Sequence, residues 1–184
     1  MAKIMFIRHA EKPTGKDAGV TPKGVQDKED LIVLGWQRAG ALARFFAPRT
    51  AGDLPAGLLT PAALFAAKAN MQEHSMRPQH TILPLSKLLG IKTDASVGKG
   101  DEKKLVAKLL AAAAKGTVLV AWQHQKIPGI VTLIGGQGIC PTAWPGNRFD
   151  MVWVLDSADG KTGWTFSQVP QLLLHGDSAT PIPF

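Results

Sequence analysis

Cysteine is almost absent from this 184-residue sequence, which contains only Cys140. A single thiol cannot form an intramolecular disulfide, and it cannot build a cysteine-based zinc site. Cys140 lies in a segment rich in glycine and proline with no base beside it in the sequence, which is typical of a packed or loop thiol. The chain must therefore rely on a hydrophobic core, and residues 1–184 are enough for one domain to bury such a core.

Long hydrophobic runs are missing from the beginning of the sequence. The first run, IMFI at 4–7, is interrupted by Arg8 and is too short for the core of a signal peptide or for a membrane span. Hydrophobic residues make up 45% of the chain and charged residues 19%, which is typical of a folded soluble protein. We therefore expect a cytoplasmic protein that does not bind membranes.

Positive charge is in excess but is not concentrated. The formal net charge is +7 and the isoelectric point is about 9.7, a balance that suits anionic partners. Lys103 and Lys104 are the only adjacent lysines, and no dense basic tract or interleaved aromatic stripe occurs. Nucleic-acid binding is therefore not expected, but the charge alone does not choose among the other anionic partners, such as phosphorylated metabolites or phosphoproteins.

Several motifs for nucleotide or metal chemistry are also absent. The sequence contains no Gly-x-x-x-x-Gly-Lys-Ser/Thr loop, no His-Glu-x-x-His helix and no Gly-x-Ser-x-Gly elbow. The glycine-rich segment GGQGIC lacks the third glycine of a dinucleotide-binding fingerprint and follows a predicted helix instead of a strand. We therefore expect no cofactor and no catalytic metal.

The pattern of apolar residues predicts strands that alternate with helices. Apolar or β-branched runs predict strands at 3–7, 57–68, 117–122, 149–156 and 163–169. The periodicity of 57–68 would also allow a helix, but its shortness favours a strand. Helical spacing predicts helices at 34–49, 75–90, 100–116 and 127–136, the second capped by Ser75 and ended by Gly90. This alternation favours a three-layer α/β/α sandwich with a mostly parallel central sheet.

Two of the predicted strands run directly into histidine. The strand at 3–7 is followed by Arg8 and His9, and the strand at 117–122 is followed by Gln123 and His124. Ligands of parallel sheets collect at the carboxyl ends of the strands. A neutral imidazole is a good nucleophile toward phosphorus, and a guanidinium opposes its protonation and grips phosphate oxygens. These residues therefore predict phosphate chemistry at one edge of the sheet.

Four ordered segments resemble the histidine phosphatase superfamily, also called the phosphoglycerate mutase-like family. They are IMFIRHAEKP, LGWQRAGALARFF, SMRPQHTILPLSKLLGI and TVLVAWQHQKIPGIV, and the resemblance spans roughly residues 3 to 170. It implies the phosphoglycerate mutase-like fold, with His9 as the phosphorylated nucleophile. It also implies that Arg8, Arg77 and His124 complete the phosphate pocket and stabilise negative charge on the transferring group.

The sequence departs from the family pattern at three places. The serine–proline pair that usually precedes the second arginine is replaced within LFAAKANMQEHS (64–75), His80 replaces the usual glutamine before Thr81, and Gln123 replaces a common glycine. His80 lies one helical turn from Arg77, so it either borders the pocket or lies on the helix surface. His74 and His175 are expected to be solvated.

The general acid is not assigned by the sequence. Glu11, Glu73, Asp101 and Glu102 are candidates by position, because a leaving alkoxide needs a proton. Glu11 is closest to His9 in the sequence, but a structural ion pair with a lysine or an arginine explains it equally well. Asp101 and Glu102 fit better as charges in the first turn of a helix. Without an acid, an anhydride or phosphoramidate substrate would be favoured over an ester.

The sequence therefore predicts a metal-independent phosphatase that acts through a phosphohistidine at His9. Its expected partner is a small phosphorylated substrate, either a phosphomonoester or a related compound. Two alternatives stay open: a non-catalytic anion-binding or regulatory module on the same fold, and a phosphoglycerate mutase-like phosphotransferase. The mutase is less favoured because the short chain leaves little room for insertions that enclose a substrate. The loops at 11–30 and 137–148 carry no readable code for the substrate, and nothing in the sequence indicates the oligomeric state.

Overall fold

The structure is a computed structural model that describes residues 1–15, 17–69 and 74–184. Its described residues form five strands and four α-helices that alternate over most of the chain. In chain order they are β1 (Ala2–Arg8), α1 (Val33–Phe46), β2 (Ala63–Ala66), α2 (Arg77–Leu89), α3 (Glu102–Ala113), β3 (Val118–Trp122), α4 (Ile127–Gly135), β4 (Met151–Ser157) and β5 (Thr165–Pro170). The predicted α/β class is confirmed.

The five strands form one mixed sheet in the order β2-β3-β1-β4-β5. The pairs β2–β3 and β3–β1 are parallel, whereas β4 pairs antiparallel with both β1 and β5. Four strands consequently point in one direction and β4 points in the other. The predicted mostly parallel sheet is therefore correct for strand direction, but its β4–β5 side is an antiparallel hairpin.

Helices cover both faces of the sheet, and the side chains of β1 alternate between them. Ile4 and Phe6 belong to a core cluster that contains residues of α3 and α4, and Met5 and Ile7 belong to one that contains residues of α1 and α2. All seven residues of β1 are buried, as expected for a central strand covered on both sides. This is the predicted three-layer sandwich. Within the described part of the chain, no helix has the length and apolar character needed to cross a membrane.

Two predicted boundaries need correction, and a third is confirmed. The segment at 57–68 contains a strand of only four residues, Ala63–Ala66, because Pro61 and the glycine-containing turn before it do not pair with β3. Helix α2 begins at Arg77, and its N-cap position is Met76 without a side-chain hydrogen bond, so the prediction that Ser75 caps it is wrong. The predicted stop at Gly90 is confirmed, since Gly90 is left-handed with φ of 67°.

Candidate active site

The candidate site is a cleft of about 350 Å³ at the edge of the sheet where β1 and β3 end. Arg8 pairs with Trp122 at the ends of these parallel strands, and the backbone amide of His9 donates to the carbonyl oxygen of Trp122 at 3.0 Å. The ends of β1 and β3 are thus adjacent, as the sequence predicts. The lining includes three histidines, four cations and one carboxylate among the described residues: His9, His74, His124, Lys12, Lys28, Arg77, Lys99 and Glu29.

His9 lies in the cleft with only 6% of its surface exposed. Its Nδ1 lies 2.8 Å from the carbonyl oxygen of Ala10. Because a carbonyl oxygen can only accept, Nδ1 carries the hydrogen and Nε2 of the neutral ring carries the lone pair. Burial, together with the charges of Arg8 and Arg77, lowers the pKa of His9 to about 3, although the hydrogen bond to Ala10 opposes the shift. The ring is therefore held neutral, with an unprotonated Nε2.

Arg8 precedes His9, is almost completely buried and is not part of the cleft lining. Its Nη1 donates to the carbonyl oxygen of Gly146 at 2.6 Å, and its guanidinium carbon lies 3.7 Å from the centre of the Phe149 ring. Burial lowers its pKa to about 10, which still leaves it charged at neutral pH. Nε and Nη2 are buried without a hydrogen-bond partner among the described residues. Two nitrogen atoms of the Arg8 guanidinium therefore keep unused hydrogen-bond donors next to His9 in the chain.

Arg77 lines the cleft from the first position of α2. Its Nη2 donates to the carbonyl oxygen of Lys28 at 2.6 Å and forms an ion pair with the Glu29 carboxylate at 3.2 Å. Its Nε donates to the carbonyl oxygen of Asp30 at 3.3 Å. The segment at 28–30 consequently fixes the direction of the guanidinium.

His124 follows β3 and lines the same cleft. Burial, with a smaller effect from the neighbouring charges of Arg8 and Lys12, lowers its pKa to about 4. Its Nδ1 is buried and has no hydrogen-bond partner within the described ranges. His9 and His124 are thus both neutral at pH 7, and His124 can donate one N–H to an anion in the cleft.

Glu11 points away from this cleft and belongs to a buried ion-pair cluster. Its Oε1 accepts from Nε of Arg38 at 2.8 Å, and the same guanidinium binds Asp177 through two hydrogen bonds of 3.0 and 2.7 Å. Of the two readings left open for Glu11, the geometry agrees with the ion pair. The suggestion that it is the general acid receives no support, because Glu11 is absent from the cleft lining.

His80 also lies outside the cleft lining, so the suggestion that it borders the pocket is not supported. Its Nδ1 donates to both carboxylate oxygens of the fully buried Asp30, at 2.7 and 2.9 Å, and its ring packs 5.2 Å from that of Trp36. Asp30 in turn accepts from Arg77 through its backbone carbonyl. His80 thus fixes the segment that positions Arg77 without contacting the cleft itself.

Asp101 and Glu102, two further acid candidates, are absent from the cleft lining. Asp101 occupies the N-cap position of α3 without a side-chain hydrogen bond, and Glu102 lies in the first turn, where Oε1 accepts from the amide of Gly100 at 3.1 Å. Glu73, another candidate, lies outside the described residues. The carboxylate that the structure does bring to the described lining is that of Glu29.

Comparison with known proteins gives a clear result for the fold. No family model matches the chain, and no curated protein matches it significantly. Solved structures do match: mycobacterial glucosyl-3-phosphoglycerate phosphatase superposes with a TM-score of 0.58 at 12% identity, covering 92% of this chain and 98% of the other. The chain has the phosphoglycerate mutase-like fold.

Two further structures with this fold are similar over comparable lengths. A protein assigned as the phosphohistidine phosphatase SixA from Agrobacterium tumefaciens has a TM-score of 0.52 at 15% identity, covering 90% of this chain and 96% of the other. Phosphoglycerate mutase from Bacillus anthracis has a TM-score of 0.50 at 11% identity, covering 91% and 92%. The resemblance deduced from the four sequence segments is thus matched by the whole architecture.

Sequence reasoning missed several residues of the cleft in this phosphoglycerate mutase-like fold. Lys12, Lys28 and Glu29 lie in the irregular segment between β1 and α1, where no periodicity indicates direction. His74 was expected to be solvated; it is exposed but also lines the cleft. Among the described residues, no group of three or more His, Cys, Asp or Glu side chains is arranged to hold a metal ion.

Proposed function

We propose that the protein is a metal-independent phosphatase that transfers a phosphoryl group to His9 and then to water. The observation that carries this proposal is the state of the His9 ring, which is neutral, buried and hydrogen-bonded through Nδ1 so that Nε2 keeps its lone pair. A buried histidine with only a structural role would normally use both ring nitrogens in hydrogen bonds. The phosphoglycerate mutase-like fold, shared with a glucosyl-3-phosphoglycerate phosphatase, supports the same reaction class.

The first chemical step forms a bond between Nε2 of His9 and phosphorus. The bond from phosphorus to the leaving oxygen breaks, and that oxygen takes the electron pair and a proton. Arg77 and the unpartnered N–H groups of Arg8 supply positive charge for the phosphoryl oxygens, and His124 supplies a neutral donor. As the His9 ring becomes positive, its Nδ1–H bond to the Ala10 carbonyl strengthens, which stabilises the phosphohistidine.

In the second step, a water oxygen attacks phosphorus and the N–P bond breaks. The electron pair returns to Nε2, the water proton passes to solvent or to the phosphate, and inorganic phosphate leaves. The same cations stabilise this step because the charge distribution on the transferring group is the same in both directions. The net reaction consumes one water and needs no metal or redox partner.

Protonation of the leaving group is the step with the least support from the described residues. Glu29 is the carboxylate of the described lining, and it is engaged by Arg77. We therefore expect substrates with good leaving groups, such as aryl phosphates or phosphoramidates, to react faster than simple alkyl phosphates. A weakly activated alkyl ester would require a proton from solvent.

A second candidate function is a non-catalytic anion-binding module. It is favoured by the charge of the cleft, because the described lining combines Arg77 and three lysines with a single carboxylate already in an ion pair. Such a module would bind phosphate and keep its fold without forming a covalent intermediate. A phosphatase releases phosphate from a substrate repeatedly, whereas an anion-binding module does not, so a turnover assay distinguishes the two candidates.

The experiment is phosphate release from a panel of aryl phosphates, alkyl phosphates and phosphoramidates with chelator present. The native protein is compared with His9→Ala and with His175→Ala, which removes an exposed histidine outside the cleft. We expect turnover that survives chelator and His175→Ala but falls more than about a thousandfold in His9→Ala. Absence of turnover across the panel, with phosphate still bound, would refute the phosphatase and leave the anion-binding module.

A further inference from the structure

Glu29 is the carboxylate of the described cleft lining, and it is paired with an arginine to which the proposed reaction assigns the phosphoryl group. Its Oε2 lies 3.2 Å from Nη2 of Arg77. The same nitrogen donates to the carbonyl oxygen of Lys28 at 2.6 Å, and Nε donates to that of Asp30 at 3.3 Å. Because Nη2 carries two N–H groups and Nε carries one, these three acceptors match every donor of the two nitrogens.

These contacts oppose the way in which a guanidinium grips phosphate most strongly. A bidentate grip needs two N–H groups on neighbouring nitrogens. In arginine each such pair, Nε with Nη2 or Nη1 with Nη2, includes Nη2. A phosphoryl group consequently binds Arg77 in two places only after one of the two acceptors at Nη2 has moved away.

The carboxylate of Glu29 is the acceptor that moves more easily. The carbonyl of Lys28 belongs to an anchored backbone, since the amide of Glu29 donates to the Asp27 carboxylate at 2.9 Å and the amide of Met76 donates to the carbonyl of Glu29 at 3.3 Å. The carboxylate is instead the end of a flexible side chain that is 35% exposed, and its contact is the longer of the two at Nη2. Exposed ion pairs contribute little to stability, so rotation of this side chain frees Nη2 at small cost and without movement of the backbone.

We propose that Glu29 is an internal competitor of the phosphoryl group at Arg77 and thereby sets how tightly the cleft holds phosphate. The carboxylate pairs with Arg77 in the empty cleft, and a phosphoryl group displaces it and is then repelled by it. This cost opposes the binding of substrate and of inorganic phosphate alike, so it also speeds the release of product. The proposal rests on the phosphatase function proposed above, which assigns the phosphoryl group to Arg77.

The test measures the binding of inorganic phosphate, which needs no turnover. Dissociation constants for the native protein, Glu29→Gln and Glu29→Ala are determined by calorimetry at low ionic strength. Both variants should bind phosphate at least about threefold more tightly, because the ion pair and the repulsion are removed together. The gain should shrink as ionic strength rises. A residue that only positions Arg77 would have the opposite effect, since its loss would weaken phosphate binding.

A control variant and a kinetic readout accompany the binding measurement. Asp53→Asn removes a negative charge from an exposed position that does not line the cleft, so it should keep the native dissociation constant. Turnover of p-nitrophenyl phosphate by Glu29→Gln should show KM and the inhibition constant of phosphate lowered by a similar factor. The change in kcat should be smaller, because a competitor opposes the bound substrate and the transition state to a similar extent.

The outcomes separate this proposal from the proposed function. Phosphate affinity that is unchanged or reduced in both Glu29 variants would overturn the competitor, and turnover by the native protein would leave the phosphatase standing. Tighter phosphate binding by the variants, with no turnover by the native protein, would support the competitor and overturn the phosphatase. An equal gain in Asp53→Asn would overturn the competitor as well, because net charge alone would then explain the effect.

Discussion

Acidification should destabilise this protein through His9. Burial and the nearby positive charges lower the pKa of His9 from 6.5 to about 3. At pH 5 an ordinary histidine is about 97% protonated, whereas a group with a pKa of 3 is about 1% protonated. At pH 5, His9 is therefore protonated in the unfolded chain but not in the folded chain. Stability is lost as the pH falls below 6.5, the unfolded value, and the loss continues down to about pH 3.

The expected size of this effect follows from the two protonation states. For one histidine that is protonated only in the unfolded chain, the free energy of unfolding at pH 5 falls by about 2 kcal/mol relative to neutral pH. His124, whose pKa is lowered to about 4, contributes in the same direction. That contribution is smaller than its shift implies, because solvent screens a partly exposed ring.

The assay is urea unfolding of the native protein and of His9→Gln at pH 7.5 and pH 5. Because His124 is present in both proteins, the difference between their two pH-dependent losses isolates His9. We expect the native protein to lose about 2 kcal/mol more than the variant. Nitrogen-15 NMR of the imidazole ring should also show hydrogen on Nδ1 and none on Nε2 at pH 7. Equal losses in the two proteins, or a ring that titrates near 6.5, would refute the reasoning.

Three further predictions test the supports of the cleft. Gly35→Ala should cost about 1–3 kcal/mol in the free energy of unfolding, because its new Cβ would lie 2.5 Å from the backbone oxygen of Glu11. Gly40 lies in the same helix with open space around it, so Gly40→Ala should instead raise the free energy of unfolding by about 0.5–1 kcal/mol. Equal changes in stability in the two variants would contradict the predicted clash at Gly35. Arg38→Met should lower the free energy of unfolding in urea by about 3–5 kcal/mol, because it leaves the carboxylates of Glu11 and Asp177 unpaired. A loss below about 1 kcal/mol would contradict the importance of this ion-pair cluster. His80→Phe should raise KM several-fold with a smaller effect on kcat, because it removes the donor that holds Asp30. His80→Gln can still donate to Asp30 and should restore part of the affinity. An unchanged KM in both variants would contradict the role of His80 in positioning Arg77.

The architecture was accessible from the sequence because its main signals are local. Strand β1 is a short apolar run buried on both faces, and α3 is rich in the alanines and leucines of a typical helix, with Gly116 shortly after its end. Parallel strands end at the same edge of a sheet, so histidines after β1 and β3 were expected to meet there. The pairing of Arg8 with Trp122 puts them there.

The remaining parts of the site depend on contacts between distant segments. The partner of His80 is Asp30, which lies 50 residues earlier in the chain, and the partner of Glu11 is Arg38 in the next helix. Long irregular loops have no periodicity that fixes the direction of a side chain, so the position of Glu29 beside Arg77 left no signal in the sequence. The Ser75 cap failed because a suitable residue near a helix start does not ensure that the helix begins beside it.

The most direct test of the central claim is to trap phosphate on His9. The native protein is mixed with p-nitrophenyl phosphate, quenched with alkaline denaturant within one turnover, digested and analysed by mass spectrometry. The account predicts a phosphate on the peptide that contains His9, stable in alkali and labile in acid, which forms and disappears at rates that match phosphate release. Phosphate release that proceeds without any such adduct, or an adduct on another residue, would contradict it.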